Sequence, residues 1–427
     1  SFADPQLDTL VATALSDNPG LQVISARLQA AEALARSNSA ALWPRLSASA
    51  TENRGYGEQA DTPSRSAGLA AAYEVDLWGR IRAGRDTGRL QAEATAQELQ
   101  AARISLSANV AVLWFQIGST QERLGRIEKE REVYERVLRL VETRFRNGQA
   151  PVSDVLRQRQ LVESTASLQA ATTADLGLRK HALQELLGQP AGAFEVVGAL
   201  PRVPPTLPAT GVPATVVNRR PDVQQAWLQV LAADRTVAAA IANRFPQLTL
   251  NGSYGSTDAG PGRLFDQWLG SLVGTLDLPL LDGGARRAEV DRSRAVLDQR
   301  LAEYRLSVLA AFREIADALL QDQQLQIRVA SLDVQLQLSD QVVDRLERQL
   351  RNGGDVYLNL LDAQITNSSL RRDVISTRQL LVEQRIALLR ALAGPLPDPP
   401  PAPAASTSMA VGNALDSHAN LLPEMHP

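Results

Sequence analysis

The chain has 427 residues, 44% of them hydrophobic and only 4% aromatic, with a formal net charge of -3 and a pI near 5.8. That length accommodates two or three ordinary domains, and so even a charge balance provides no basic field for holding nucleic acid. The absence of cysteine excludes disulfides, thiolate metal sites and lipid attachment to this form of the chain.

Ala, Leu, Gln, Glu and Arg recur throughout, a composition of long helices. No apolar run reaches the ~18 residues a membrane-spanning helix needs, so any membrane crossing has to be made of strands. In chain order, a helix is expected near residues 20–43, behind "NPGLQ" at Asn18. Beyond Pro44 the pattern changes to period two: "LSASAT" from Leu46 and "GLAAAYEVDL" read as strands near 46–57 and 66–78. In the second of these, Ala67, Leu69, Ala71, Tyr73, Val75 and Leu77 share one face. A helix then runs from Ile81 to Asn147, about 100 Å at ~1.5 Å per residue. The Gly turn "RNGQAPVS" over 146–153 returns the chain into a shorter helix, Val152 to Gly188.

After a linker over 189–219 the same order recurs. A helix is expected near 222–244, strands near 247–257 and 268–280, a second rod from Ala285 to Asn352, a turn over 351–358 and a return helix ending near Gly394. In the second rod Leu325, Val329, Leu332, Leu336, Val343, Leu346 and Leu350 form a heptad seam, with Ser339 filling one slot. Residues 395–427 are Pro- and Ala-rich without apolar periodicity, and disorder is expected there.

The recurrence is an internal repeat. Asn18 and Arg220 lie 202 residues apart, as do Leu42 of "LWPRLSAS" and Arg244 of "RFPQLTLN". Arg146 and Arg351 of the two Gly turns are separated by 205 and Gly188 and Gly394 by 206, which divides the chain into repeats over 1–188 and 220–394. Strand alternation alone is met equally well by hairpins capping a bundle. Aromatic placement argues for a membrane: Tyr56, Tyr73, Trp78, Tyr254, Phe265 and Trp268 sit in or at the ends of the strands, as an interfacial girdle requires. Four strands are too few to close a barrel, whereas three chains would supply twelve.

These pieces resemble the TolC-like outer membrane efflux channels. The resemblance is carried by "YEVDLWGRIR" at Tyr73, "NRRPDV" at Asn218, "FPQL" at Phe245, "PLLDGGARRAEV" at Pro279 and the two Gly turns, in the family's order over residues 18–394. It implies a mostly α fold with membrane β: a homotrimer whose 12-stranded barrel continues into a periplasmic tunnel of 12 helices. It also implies a passive duct in the outer membrane of a Gram-negative bacterium, surrounded by outer membrane lipids. Its partners would be a periplasmic adaptor (membrane fusion) protein and a proton-driven inner membrane pump. The tip residues Arg146, Asn147, Gly148, Arg351, Asn352 and Gly353 would meet the adaptor. In the family, acidic residues at the second hairpin ring the constriction, which places Asp362 of "LLDAQ" at the gate, with Asn359 where some members carry a second Asp and Asp154 at the matching place of the first hairpin. Ile365 stands where many efflux members carry Arg. Such a ring would make the constriction cation-selective and sensitive to pH and divalent ions. Many members begin with an acylated Cys, and lipidation is not expected for this form.

No enzyme, cofactor or metal site is expected. His181, His418 and His426 lack ligand spacing, and "DGGARR" at Asp282 lacks the Gly-Lys-Ser/Thr of a phosphate loop and reads as a helix start. Two other readings stay open: the same channel serving a type I protein secretion system, and a soluble coiled-coil scaffold.

Overall fold

The structure, a computed structural model, describes residues 4–54, 64–192, 195, 196, 198, 219–258, 267–352, 354 and 356–392. The expected linker at 189–219, apart from a few positions, and the tail at 395–427 lie outside the described residues, as do Tyr56, Phe265 and Gly353. The described residues form helices α1 (Pro5–Asp17), α2 (Pro19–Ala40), α3 (Arg80–Arg146), α4 (Val152–Leu186), α5 (Pro221–Ala242), α6 (Ala285–Arg351) and α7 (Tyr357–Ala391). The strands are β1 (Arg45–Asn53), β2 (Ser64–Val75), β3 (Gln247–Asp258) and β4 (Leu269–Asp277). The two rods α3 and α6 have 67 residues each and the return helices α4 and α7 have 35 each.

Local chemistry sets these boundaries. Asp4 caps α1 by accepting from the N–H groups of Gln6 and Leu7, and Asn18 caps α2 by accepting from Leu21. Proline occupies the first turn of α1, α2 and α5, where its missing N–H costs nothing. The rods begin alike. The residues before them, Gly79 and Gly284, have φ of 77° and 88°, left-handed conformations that suit glycine. Asp76 accepts from the N–H groups of Ile81 and Arg82 at 3.0 Å each, and Asp282 accepts from those of Gly284 and Arg286. The "DLWGRIR" and "DGGARR" motifs are thus helix starts with a carboxylate at the positive end of the rod. Because Asp76 turns toward α3, β2 stops at Val75 rather than continuing to the expected 78. β4 likewise stops at Asp277, ahead of Pro279, which cannot donate to a ladder.

The helices make a layer four rods wide. α3 packs between α2 and α5 along its sheet-side half, and between α4 and α7 along the rest, while α6 packs along α5 and α7. Two polar ties stack the shorter helices end to end. Asn18 Nδ2 donates to the carbonyl of Leu186 at 2.9 Å, joining α2 to α4, and Arg220 Nη1 donates to the carbonyl of Ala391 at 3.2 Å, joining α5 to α7. Arg220 also pairs with Asp222 and, at 2.8 Å, with Glu314 of α6, so the Arg of "NRRPDV" clamps three helices. The largest core lies where α1, α2, α4 and α7 meet the middle of α3, around Trp114, Phe115, Leu183 and Ile386. In the α6 seam Leu332 and Leu350 are buried, and Ser339 accepts from Asn367 of α7.

Candidate functional site: hairpin tips and strand wall

The first tip is a left-handed cap. α3 ends at Arg146, Gly148 takes φ of 70°, its N–H donates to Phe145, and the N–H of Gln149 donates to the carbonyl of Arg144 at 2.8 Å. At the second tip α6 ends at Arg351, and the N–H of Gly354 closes on the carbonyl of Gln349 at 3.0 Å. Arg146 and Arg351 are exposed, as are Asn147 and Asn352.

The tips are tied to each other. The hydroxyl of Tyr357, at the start of α7, is shared between the main-chain oxygen of Asp154 and Oε1 of Gln158, each 3.1 Å away on α4. Gln158 in turn donates to the carbonyl of Tyr134 on α3, and the Tyr134 hydroxyl is 2.8 Å from Ser368 Oγ on α7. An apolar cluster of Val141, Val155, Leu350, Tyr357 and Leu360 draws on all four tip helices. Farther along, Glu130 of α3 pairs with Arg372 of α7 at 3.0 Å. Burial, with the charge of Asp154 close by, pushes the Tyr357 phenol up to about 12, so it remains a donor throughout the neutral range.

Asn359 and Asp362 lie one turn apart on the exposed face of α7, beside Leu358 and Ile365, which are 52% and 45% exposed. Asp154 is half-buried in the first turn of α4. Neither the Asp154 nor the Asp362 carboxylate has a hydrogen-bonding or ion-pairing partner among the described residues. No described group of three or more acidic, His or Cys side chains could hold a metal ion, and His181 is exposed on α4.

At the opposite end the sheet runs β1-β2-β3-β4, antiparallel throughout, and its two faces differ sharply. Through the register, Leu69, Tyr73 and Val75 of β2 stand beside Tyr254, Leu250 and Leu248 of β3, which stand beside Gly270, Gly274 and Leu276 of β4. No described residue packs a core over this apolar face: Leu272 is 79% exposed and Leu46 69%. The other face carries Ser47, Ser49, Thr249, Asn251, Ser253, Ser271 and Thr275, with Leu269 and Val273 of β4 among them. Aromatic pairs bracket the apolar face. Trp78 stacks on Phe245 at 4.8 Å at the helix side, its Nε1–H donating to the carbonyl of Pro246, and Tyr254 stacks on Trp268 at 5.1 Å toward the far side. At ~3.4 Å per residue the run from Phe245 to Tyr254 spans roughly 30 Å, or about 23 Å for strands tilted by ~40°, which matches a bilayer's apolar band. No described helix is long and apolar enough to cross a membrane.

The seam reading of α6 missed a second apolar row. Leu320, Ile327 and Val334 recur every seven residues and are 57–58% exposed, continuing through Leu338 and Val342. They lie off the α7 seam, on a face that the described residues leave uncovered. The signal is a second heptad in the same helix, offset from the first.

Comparison with known proteins gives a consistent set of likenesses. The profile of the "Outer membrane efflux protein" family matches residues 10–189 and 212–394. The toluene efflux pump outer membrane protein TtgF of Pseudomonas putida is 30% identical over 410 residues, covering 92% of this chain and 84% of that protein. The cation efflux system protein CusC of Escherichia coli is 27% identical over 400 residues, covering 90% and 84%. The solved structure of the outer-membrane channel OprN superposes with a TM-score of 0.86 at 28% identity, covering 92% of this chain and 91% of that one.

Proposed function

The chain belongs to the outer membrane efflux protein family, and from that membership we propose how its parts share the work. It is the outer membrane exit duct of an efflux pump in a Gram-negative bacterium. In our reading three copies close one barrel of twelve strands. The observation that carries this is the sheet: one face is apolar and bracketed by stacked aromatics, the other is rich in hydroxyls, and the outer edges of β1 and β4 have no partner strand among the described residues. An unpaired edge in lipid leaves backbone groups unsatisfied, so β4 of one copy pairs with β1 of the next. The outer row of α6 then packs on the α2/α4 edge of the neighbour, giving each rod of a closed helical tunnel two seams.

The two repeats supply two tips per chain, so six tips face a periplasmic adaptor, with Arg146, Asn147, Gly148, Arg351, Asn352 and Gly353 at the contact. Asp362, with Asn359 and Asp154, lines the gate. A proton-driven inner membrane pump supplies the energy, and the duct conducts small molecules passively. Relatives are named for toluene and for cations, so family membership leaves the cargo class open.

The test is the protein-only mass of the 46.1 kDa chain in detergent. A trimer that depends on detergent is expected, and Leu320→Asp combined with Ile327→Asp should yield monomers. A wild-type monomer or dimer that is stable in plain buffer would sink the shared barrel in favour of a soluble scaffold.

A further inference from the structure

The hydroxyl-rich face of the sheet carries very few charges. Alternation places Arg45, Glu74 and Asp277 on it, level with the serines and threonines already named. Glu74 is taken by Arg80, which donates to both of its oxygens, Nε at 3.1 Å. Arg45 is different. It opens β1, is exposed, and its side chain makes no hydrogen bond or ion pair among the described residues. Its side chain lines a shallow recess of about 220 Å³ with Ser47, Asn251, Ser253 and Ser271. Ser253 and Ser271 lie 2.7 Å apart across the β3–β4 ladder, and Ser47 leans on the carbonyl of Ala70 at 3.4 Å. These residues present hydroxyl and amide groups around one uncommitted guanidinium.

We propose that Arg45 and the surrounding hydroxyls form an anion-binding belt on the inner wall of the barrel, where the carboxylate or phosphate groups of passing cargo are held briefly. The proposal rests on the channel reading, since only a closed barrel makes this face a lumen. A guanidinium offers a planar fork of donors matched to those two groups, and hydroxyls complete the coordination without adding charge. In a trimer the three copies make a ring, the arrangement by which pores select for ion sign. The belt lies at the helix-side end of the barrel, and its sign is opposite to that of the carboxylates proposed for the periplasmic gate. A multiply charged anion entering the barrel from the helix side would meet three guanidiniums there, while the Asp277 carboxylates of the same wall would draw cations.

The full chain, purified in detergent and inserted in a planar bilayer, tests this by its reversal potential in a potassium chloride gradient near ~0.1 M, where the Debye length is about 10 Å. Arg45→Gln should lower the chloride-to-potassium permeability ratio by at least about twofold, the effect of a single unit charge across ~8 Å of water, because a trimer loses three such charges. Arg45→Lys should hold the ratio, and inorganic phosphate should slow the current through wild type but not through Arg45→Gln. Asp277→Asn, which removes the other uncommitted charge of this wall, should move the ratio the opposite way. Near ~1 M salt, with a Debye length of about 3 Å, the differences should collapse. An unchanged ratio in Arg45→Gln, or shifts of the same sign in both neutralised variants, overturns the belt and leaves the channel intact. If no conducting steps appear from wild-type protein, it is the channel reading that fails.

Discussion

Tyr357 reaches across 203 residues of sequence to place its hydroxyl 3.1 Å from the main-chain oxygen of Asp154, joining the tips of two hairpins that share no covalent turn. Tyr357 is 6% exposed, and its second acceptor, Gln158 Oε1, is also buried. Tyr357→Phe keeps the ring packing and removes only the donor, leaving buried Gln158 Oε1 without its partner while the Asp154 carbonyl keeps its place in the α4 ladder, which costs about 1–2 kcal/mol. We expect amide exchange over residues 152–158 and 357–361 to quicken by roughly five- to thirtyfold, with exchange in the Trp114 core unchanged. Uniform exchange between the two proteins would show that apolar packing alone joins the tips.

Asp362 should behave in the opposite manner. Its carboxylate touches nothing among the described residues, so Asp362→Ala should leave stability within about 0.5 kcal/mol of wild type. In the proposed trimer three such groups would converge, and the same substitution should weaken both cation selectivity and block by divalent ions. Unchanged selectivity and block in bilayers would remove Asp362 from the gate.

The ion pair between Arg385 of α7 and Asp322 of α6 is a structural counterpart. Its distance is 2.8 Å, and the side chains are 10% and 2% exposed. Arg385→Met strands a buried carboxylate and should cost about 3–5 kcal/mol, read as a loss of unfolding temperature or denaturant midpoint in detergent. Adding Asp322→Leu should recover much of that loss, because the pair itself contributes little once desolvation is counted. A double variant as unstable as the single one would mean that Gln326, which also donates to Asp322, and the local packing carry the effect.

What could be read in advance followed from periodicity. Rods of 67 residues, Gly turns and period-two strands are local patterns, and their ends were legible to within a few residues. The misses were long-range or shared between patterns. The strand ends at Val75 and Asp277 depend on a carboxylate turning back to a helix and on a proline, and the role of Arg220 depends on an acceptor 171 residues away. Its motif was recognisable, but nothing local says what a guanidinium reaches. Tyr357 was passed over for the same reason. Arg45 is illegible for a different reason: period two marks the apolar face of a strand and leaves the polar face unmarked, so an arginine among hydroxyls carries no pattern of its own.

Glu130 provides a prediction in which the sign is decided by the balance of two forces. Its side chain is 12% exposed, at the α3–α7 contact, with Arg372 at 3.0 Å and Arg126 and Arg371 nearby. Burial raises the carboxyl above its ordinary value of 4.5 despite the opposing attraction of Arg372. A folded-state pKa above the unfolded one means that the native protein binds more protons between the two values, so stability falls as pH rises through that window and the penalty is complete above it. Glu130→Gln mimics the protonated form. It should raise the unfolding temperature in detergent at neutral pH, and the gain should shrink on acidification and vanish below about pH 4.5, where the wild-type carboxyl is protonated in both states. A variant less stable than wild type at neutral pH would show that the attraction between Glu130 and Arg372 outweighs burial, and that the pair holds α3 to α7 through its charge.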